Sequence, residues 1–367
     1  MNDHIYALVG RAVLPGGEEP DGAVVVRNGT IVYAGPRSSA SLPENIMETD
    51  GCIIAPGFVD IHCHAGGAFL GYDDPAAMAA HHLRHGTTGL LCTFYRDLGH
   101  EKTLRAIEGV KNAMKTSLNL LGVHLEGPYL NPAYGSKAGF STPVSREKYE
   151  QYAASGIIRQ WTFAPEVEGT DTFLSDITSW GIVPAIGHSA ASPEQVYAAA
   201  CGGARIVTHL MDATGYSISP ARYGGTQELS FDHAALLCDN LYYEIICDRN
   251  GVHVRHDMIR LILKTVGAEK IIGITDATTE DSSDTDVNFL DGELTGSKLT
   301  MDQVARNFLS LGLSLHEVFQ ITAANPAKAI GMEHKIGSLA PGRAADILLI
   351  DTNGFVKKVM KNGEAVI

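Results

Sequence analysis

Between Phe58 and Ala277 the chain alternates β-rich apolar runs with helical stretches, and nothing else in it restricts the fold as strongly. The runs are FVDIH (58–62), TTGLLCTF (87–94), LLGVHLEG (120–127), RQWTFAPE (159–166), GIVPAIGHS (181–189), RIVTHLMD (205–212), LYYEIICD (241–248) and KIIGITDA (270–277). Helical patterns separate most of them, among them PAAMAAHHLRHG, KTLRAIEGVKNAMKTS, REKYEQYAASG and SPEQVYAAACGG. The last opens with Ser192 as N-cap and Pro193 at the first helical position. Eight strand–helix alternations over roughly 250 residues predict a parallel (β/α)8 TIM-type barrel, an α/β fold.

The ends of the chain have a different character. Residues 1–56 read as short strands, with Asn28-Gly29 as a type I′ hairpin signal. The last stretch, GSLAPGRAADILLIDTNGFVKKVMKNGEAVI, returns to strand and turn with a second such pair at Asn362-Gly363. A sheet of so few strands is marginal alone, so the two ends are expected to pair. The predicted organisation is a small β-sandwich domain from 1–56 plus 333–367, and a catalytic barrel over 57–332. The polar stretch 279–299 after the eighth run, with Glu280, Asp281, Asp284 and Asp286, reads as a solvated flap, or as a segment that helps cover the site or selects against anions.

Barrel enzymes keep their chemistry at the C-terminal ends of the strands. Here those ends are polar: His62 and His64 close the first run, Glu126 the third, His188 the fifth, His209 the sixth and Asp276 the eighth. Singly, Glu126 or Asp276 reads as a turn cap, and the His62/His64 pair as two packed histidines. Together, six nitrogen and oxygen donors on one rim make a site for one or two divalent ions of the zinc, iron or manganese type, zinc first. His81, His82 and His85 lie in the helical pattern between the first two strands and are expected to pack or face solvent.

Composition removes other classes. A formal net charge of -14 argues against a phosphate-backbone surface, so neither nucleic acid nor an acidic membrane is an expected partner. Six scattered cysteines without a CxxC pair read as free thiols of a reducing cytoplasm, and no apolar run approaches the ~18 residues of a membrane span.

The HxH after strand one, the histidines after strands five and six and the aspartate after strand eight resemble the amidohydrolase superfamily. HLEGPYLNP (124–132), GHS (187–189), THL (208–210) and CDRNGVHV (247–254) with ITDAT (274–278) narrow this to a resemblance to N-acetylglucosamine-6-phosphate deacetylases. The resemblance implies a metal-dependent hydrolase removing an N-acetyl group from an amino sugar or its phosphate, a small-molecule substrate, and a homodimer. It implies Glu126, His188 and His209 as ligands of the principal metal, with His62 and His64 holding a second. It also implies Asp276 as the general acid/base, and His253 as a substrate contact.

The chain departs from that family around the substrate. The segment after EGP lacks a histidine that helps polarise the acetyl carbonyl, and Lys137 is the nearest replacement. THLMDAT puts Asp212, followed by Ala213, where an asparagine helps bind phosphate; a carboxylate there repels a phosphate dianion unless paired or protonated. Arg222 is the counterpart of the phosphate-binding arginine, and extra residues in CDRNGVHV put Arg249 near the rim. Two other readings stand beside this one. A cyclic-amide hydrolase would carry a carboxylated lysine at the end of strand four, which here reads TFAPE. A non-catalytic scaffold on the same fold would be expected to have lost part of the ligand set.

Overall fold

The computed structural model describes residues 4–135, 140, 142–215, 223–279, 284–290 and 292–366. Eight parallel strands form its central sheet: β1 (Phe58–Asp60), β2 (Thr87–Phe94), β3 (Leu120–Glu126), β4 (Ile158–Phe163), β5 (Val183–Ile186), β6 (Ile206–Val207), β7 (Tyr242–Ile246) and β8 (Ile271–Ile274). Each pairs with its sequence neighbours, in the order β1 to β8. Every residue of β2 and β3 is buried, as expected of parallel strands covered on both faces. Helices follow the strands, beginning with Pro75–Arg84 after β1 and His100–Ala113 after β2. Ser192 caps Pro193–Cys201 in a reciprocal capping box with Gln195.

The barrel closes just beyond the strands. Asp276 N–H donates to His62 O at 2.9 Å, and Ala277 O accepts from His64 N–H at 2.9 Å and from Ala65 N–H at 2.8 Å. Beneath this seam the buried Asp60 carboxylate accepts from Thr275 Oγ1 at 2.6 Å and from His62 N–H at 3.2 Å. Closure therefore sets the backbone of His62, His64 and Asp276, three of the predicted site residues.

Strands from both termini form one mixed sheet in which Ile53–Pro56 pairs antiparallel with Ile347–Ile350. Asn28 and Asn362 both take the positive φ of a type I′ turn, 50° in each case, ahead of their glycines. One face of this sheet has its own core of Tyr6, Leu8, Val24, Val26, Ile347 and Met360. From the other, Val13, Ile53 and Leu348 join the barrel core. Within the C-terminal hairpin of this sheet Lys361 and Asp346 form a buried pair, with Nζ 2.8 Å from Oδ2.

The stretch after β8 differs from its sequence reading. Val287–Leu290 and Glu293–Ser297 form an antiparallel hairpin, and Asp286 is buried, accepting from Arg249 N–H at 2.8 Å. Asp284 is exposed, whereas Glu280 and Asp281 lie outside the described residues. Local composition missed this because the aspartate's partner comes from the loop after β7.

His82, on the helix after β1, turns inward and donates from Nε2 to Ala65 O at 2.8 Å. Burial lowers its pKa to about 4, against that carbonyl, which favours the charged ring. The unfolded ring titrates near 6.5, so below that pH the unfolded chain binds the extra proton and stability falls until about pH 4. His82→Gln should lose about 3 kcal/mol less stability than wild type on acidification through this window, read from urea midpoints; equal losses would remove His82 as the cause.

Candidate active site

Three predicted site residues stand two positions beyond their strands, where the chain turns out of the sheet. His188, His209 and Asp276 have positive φ of 47°, 25° and 45°. Such backbone costs on the order of 1–3 kcal/mol per residue in a non-glycine and persists only where the surroundings enforce it. Here it directs side chains into the barrel mouth, over the end of β3.

Glu126 is the meeting point. Its Oε1 lies 2.9 Å from His188 Nε2 and 3.1 Å from His209 Nε2, and the two Nε2 atoms are 3.0 Å apart. Donors at 2.0–2.1 Å from a tetrahedral ion stand about 3.3 Å from one another, so these separations are close to those of a ligand set. A second grouping adjoins the first. His64 Nε2 lies 3.3 Å from Glu126 Oε2 and 3.3 Å from Asp276 Oδ1, and His62 Nε2 is 3.4 Å from Glu126 Oε1. All six side chains are buried, and both groupings have the geometry of candidate divalent-metal sites.

The hydrogen bonds behind the imidazoles aim their lone pairs. Asp212 O can only accept, so His209 Nδ1 donates to it at 3.0 Å and leaves Nε2 facing Glu126. His62 Nδ1 likewise donates to the fully buried Glu244 carboxylate on β7 at 3.0 Å. Gln160 Nε2 on β4 donates to the other Glu244 oxygen at 2.7 Å. Below them His124 bridges Thr162 Oγ1 at 2.8 Å and Thr93 Oγ1 at 3.3 Å.

The electrostatics ask for positive charge. Burial pushes the Glu126 carboxyl up, but His188 and His62 outweigh it and hold it well below the usual range. Burial also raises Asp276, and His62 with His64 overcome this in the same way. In turn Asp276, Glu126 and Glu244 raise His62 well above its ordinary value against burial, and Glu126 lifts His209 to about 9. An acidic excess that recruits protons onto buried imidazoles suits a divalent cation, and the donor set therefore fits one.

His64, Glu126, His188, His209 and Asp276 line a cavity of about 70 Å³ together with Tyr95, Arg96, Asp212, Ala213 and the hairpin residues Leu294 to Gly296. Tyr95 stacks on His64, with ring centroids 4.0 Å apart. Asp212 Oδ2 is 2.5 Å from His253 Nδ1, and His253 Nε2 donates to Gly296 O at 3.0 Å. The carboxylate at position 212 is thus paired. Arg249 is exposed and does not line this cavity, its place being fixed through its backbone N–H. Lys137 and Arg222 fall outside the described residues.

Residues 53–366 match the Amidohydrolase family. The chain belongs to the amidohydrolase family. It is 25% identical to an N-acetylglucosamine-6-phosphate deacetylase of Lysinibacillus sphaericus, over 93% of this chain and 97% of the relative. An N-acetylgalactosamine-6-phosphate deacetylase of Escherichia coli O157:H7 is 26% identical over 88% of this chain and 90% of its own. Among solved structures, the N-acetyl-D-glucosamine-6-phosphate deacetylase of Mycobacterium smegmatis, in complex with N-acetyl-D-glucosamine-6-phosphate, superimposes with a TM-score of 0.87 at 26% identity, covering 99% of each chain. This amidohydrolase and its site together support metal-assisted amide hydrolysis.

Sequence reasoning missed Glu244, Gln160, His124, Tyr95 and Arg96. Glu244 and His124 left a signal, a polar group inside the apolar runs LYYEIICD and LLGVHLEG. Glu244→Gln keeps the shape but removes the charge that orients His62, and should lower divalent-metal affinity about 10- to 100-fold. Chelator-competition titration measures this, and wild-type affinity would reduce Glu244 to a packing role.

Proposed function

We propose that this amidohydrolase removes an N-acetyl group from an amino sugar, either N-acetylglucosamine 6-phosphate or a related N-acetylhexosamine or its phosphate. The observation that carries the reading is the convergence of Glu126, His188 and His209 beside Asp276 on one cavity, in a chain similar over nearly its whole length to deacetylases of amino-sugar phosphates. Glu126, His188 and His209 would hold the principal ion, zinc by preference, and His62 with His64 a second beside it. A divalent ion there supplies a water of lowered pKa and a Lewis acid for the amide carbonyl.

The remaining work falls to the chain's own groups. Asp276, which a bound cation beside it would keep ionised, takes the proton of the attacking water and passes it to the departing amine nitrogen. A single carboxylate serves both steps, acting first as base and then as acid. Glu244 and the Asp212 carbonyl hold His62 and His209 in the tautomer that leaves Nε2 unprotonated. Tyr95, flat against His64, limits that ring's rotation.

The cyclic-amide alternative has less support. β4 runs out into Ala164, Pro165 and Glu166, and Glu166 is bound to Ser189 Oγ at 2.6 Å and Ala190 N–H at 2.7 Å. No lysine stands there to bridge two ions. The same proposal includes a homodimer, a cytoplasmic location and a division into 1–56 with 333–367 against 57–332. The structure itself has no helix among the described residues long and apolar enough to cross a membrane.

Asp276→Asn should retain bound metal while lowering kcat for amine release by at least about 100-fold, the contribution of a positioned acid/base. Metal analysis and a primary-amine assay on N-acetylglucosamine, N-acetylgalactosamine and N-acetylmannosamine and their 6-phosphates would check both halves. Near-wild-type turnover would remove Asp276 from the mechanism. Wild-type protein that takes up no metal would favour the scaffold reading.

A further inference from the structure

The oxygen of an amide gains negative charge as its carbonyl carbon becomes tetrahedral, and a site that speeds this step places hydrogen-bond donors where the charge appears. Most polar groups of the catalytic cavity are not such donors. Glu126, Asp212 and Asp276 are carboxylates, and Asp212 is occupied with His253. Thr278 Oγ1 donates to Thr295 O at 3.2 Å, and the N–H of His209 is turned away onto the Asp212 carbonyl. Among the described lining residues Arg96 alone carries a permanent positive charge.

Arg96 stands two positions beyond β2, just as His188, His209 and Asp276 stand two positions beyond their strands, so it joins the same level of the rim. It is only 7% exposed, and its guanidinium brings five N–H donors. Among the described residues its hydrogen bond is a long one, from Nη1 to Asn131 O at 3.4 Å. A Cβ on Gly135 would lie 3.4 Å from Arg96 Nη2 and 2.7 Å from His188 Nδ1, so the guanidinium and the His188 ring crowd one point. Asp276 has other neighbours, its Oδ1 lying 3.3 Å from His64 Nε2 and 3.6 Å from His62 Nε2. The acid/base and the cation thus flank Glu126 from different sides, Asp276 beside His62 and His64, Arg96 beside His188.

We propose that Arg96 is a catalytic residue of the deacylation, donating hydrogen bonds to the substrate's amide oxygen as it becomes an oxyanion. The inference rests on the deacylation reading and adds to it the protein group that meets this oxygen. As the water oxygen bonds to the carbonyl carbon, the π pair moves onto the amide oxygen and is held by the guanidinium N–H groups. When the pair returns, the C–N bond breaks, the amine leaves with the proton carried by Asp276, and acetate remains. Arg96 neither gains nor loses a proton in this sequence. Lys137, the replacement suggested by the sequence for a carbonyl-directed group, lies outside the described residues.

The test uses metal-loaded, full-length protein. Arg96→Gln should keep its metal and lower kcat about 100-fold, with KM within about 3-fold of wild type, on whichever N-acetylhexosamine or 6-phosphate turns over fastest. Arg96→Lys should recover part of the loss. Electron-withdrawing fluorines make the oxyanion less basic and less dependent on a donor, so on the N-trifluoroacetyl counterpart the Arg96→Gln loss in kcat/KM should shrink about 10-fold. By calorimetry the methylphosphonamidate of glucosamine 6-phosphate, a tetrahedral anionic mimic of the addition step, should bind Arg96→Gln about 100-fold more weakly. Unchanged kcat, or a raised KM alone, overturns the proposal, and so does loss of metal in Arg96→Gln. Equal losses on acetyl and trifluoroacetyl compounds also overturn it, because they assign Arg96 a structural role. Wild-type protein that binds the phosphonamidate through Arg96 but releases no amine would sink the deacylation reading and leave the oxyanion contact standing. Protein that does neither removes both.

Discussion

One buried carboxylate organises this molecule. Glu126 ends a strand whose every residue is inaccessible, a setting in which an isolated negative charge is strongly disfavoured. It remains ionised because four imidazoles from three separate segments reach it within 3.4 Å. Three strand ends bring those rings there, the first of them carrying both His62 and His64. The barrel thus delivers charge compensation to Glu126, and the donor cluster is the form that compensation takes. The seam between β1 and β8 belongs to the same arrangement, since the backbone bonds that close the barrel also fix His62, His64 and Asp276 around the carboxylate.

Compensation by protonated imidazoles alone is incomplete. Glu126, Asp276 and Glu244 place three carboxylates around His62, and protons drawn onto His62 and His209 are held there only against burial. A divalent cation resolves the conflict without protonating any ring. The left-handed backbone at His188, His209 and Asp276 is consistent with this view: strain of that kind is retained where the surroundings and a function require it.

Much of this was legible in the chain. The alternation of runs and helices identified the barrel, because fully buried parallel strands must be apolar throughout, and a polar residue at such a run's end then has few uses other than chemistry. His62, His64, Glu126, His188, His209 and Asp276 met on one rim for that reason. Glu244, Gln160 and His124 were harder to see because they sit within strands, where pairing partners come from other strands and leave no local spacing. Asp286 was misread for the same reason, its partner lying across the loop after β7. Tyr95 and Arg96 carry no motif at all, and become significant only when the end of β2 is seen to face both His64 and the cavity.

The Asp212–His253 pair fixes the charge on one side of the cavity. An asparagine at 212 would leave His253 free to meet an anion, whereas the aspartate takes His253 Nδ1 at 2.5 Å while Gly296 O takes Nε2. Burial raises the Asp212 carboxyl, yet His253 outweighs this and keeps it below its usual value, so the two groups form a neutral unit with no cationic capacity left over. Any anion of the substrate must then find its counter-charge elsewhere on the rim. Arg96, just beyond β2, is buried, only lightly bonded among the described residues, and lines the same cavity as Glu126.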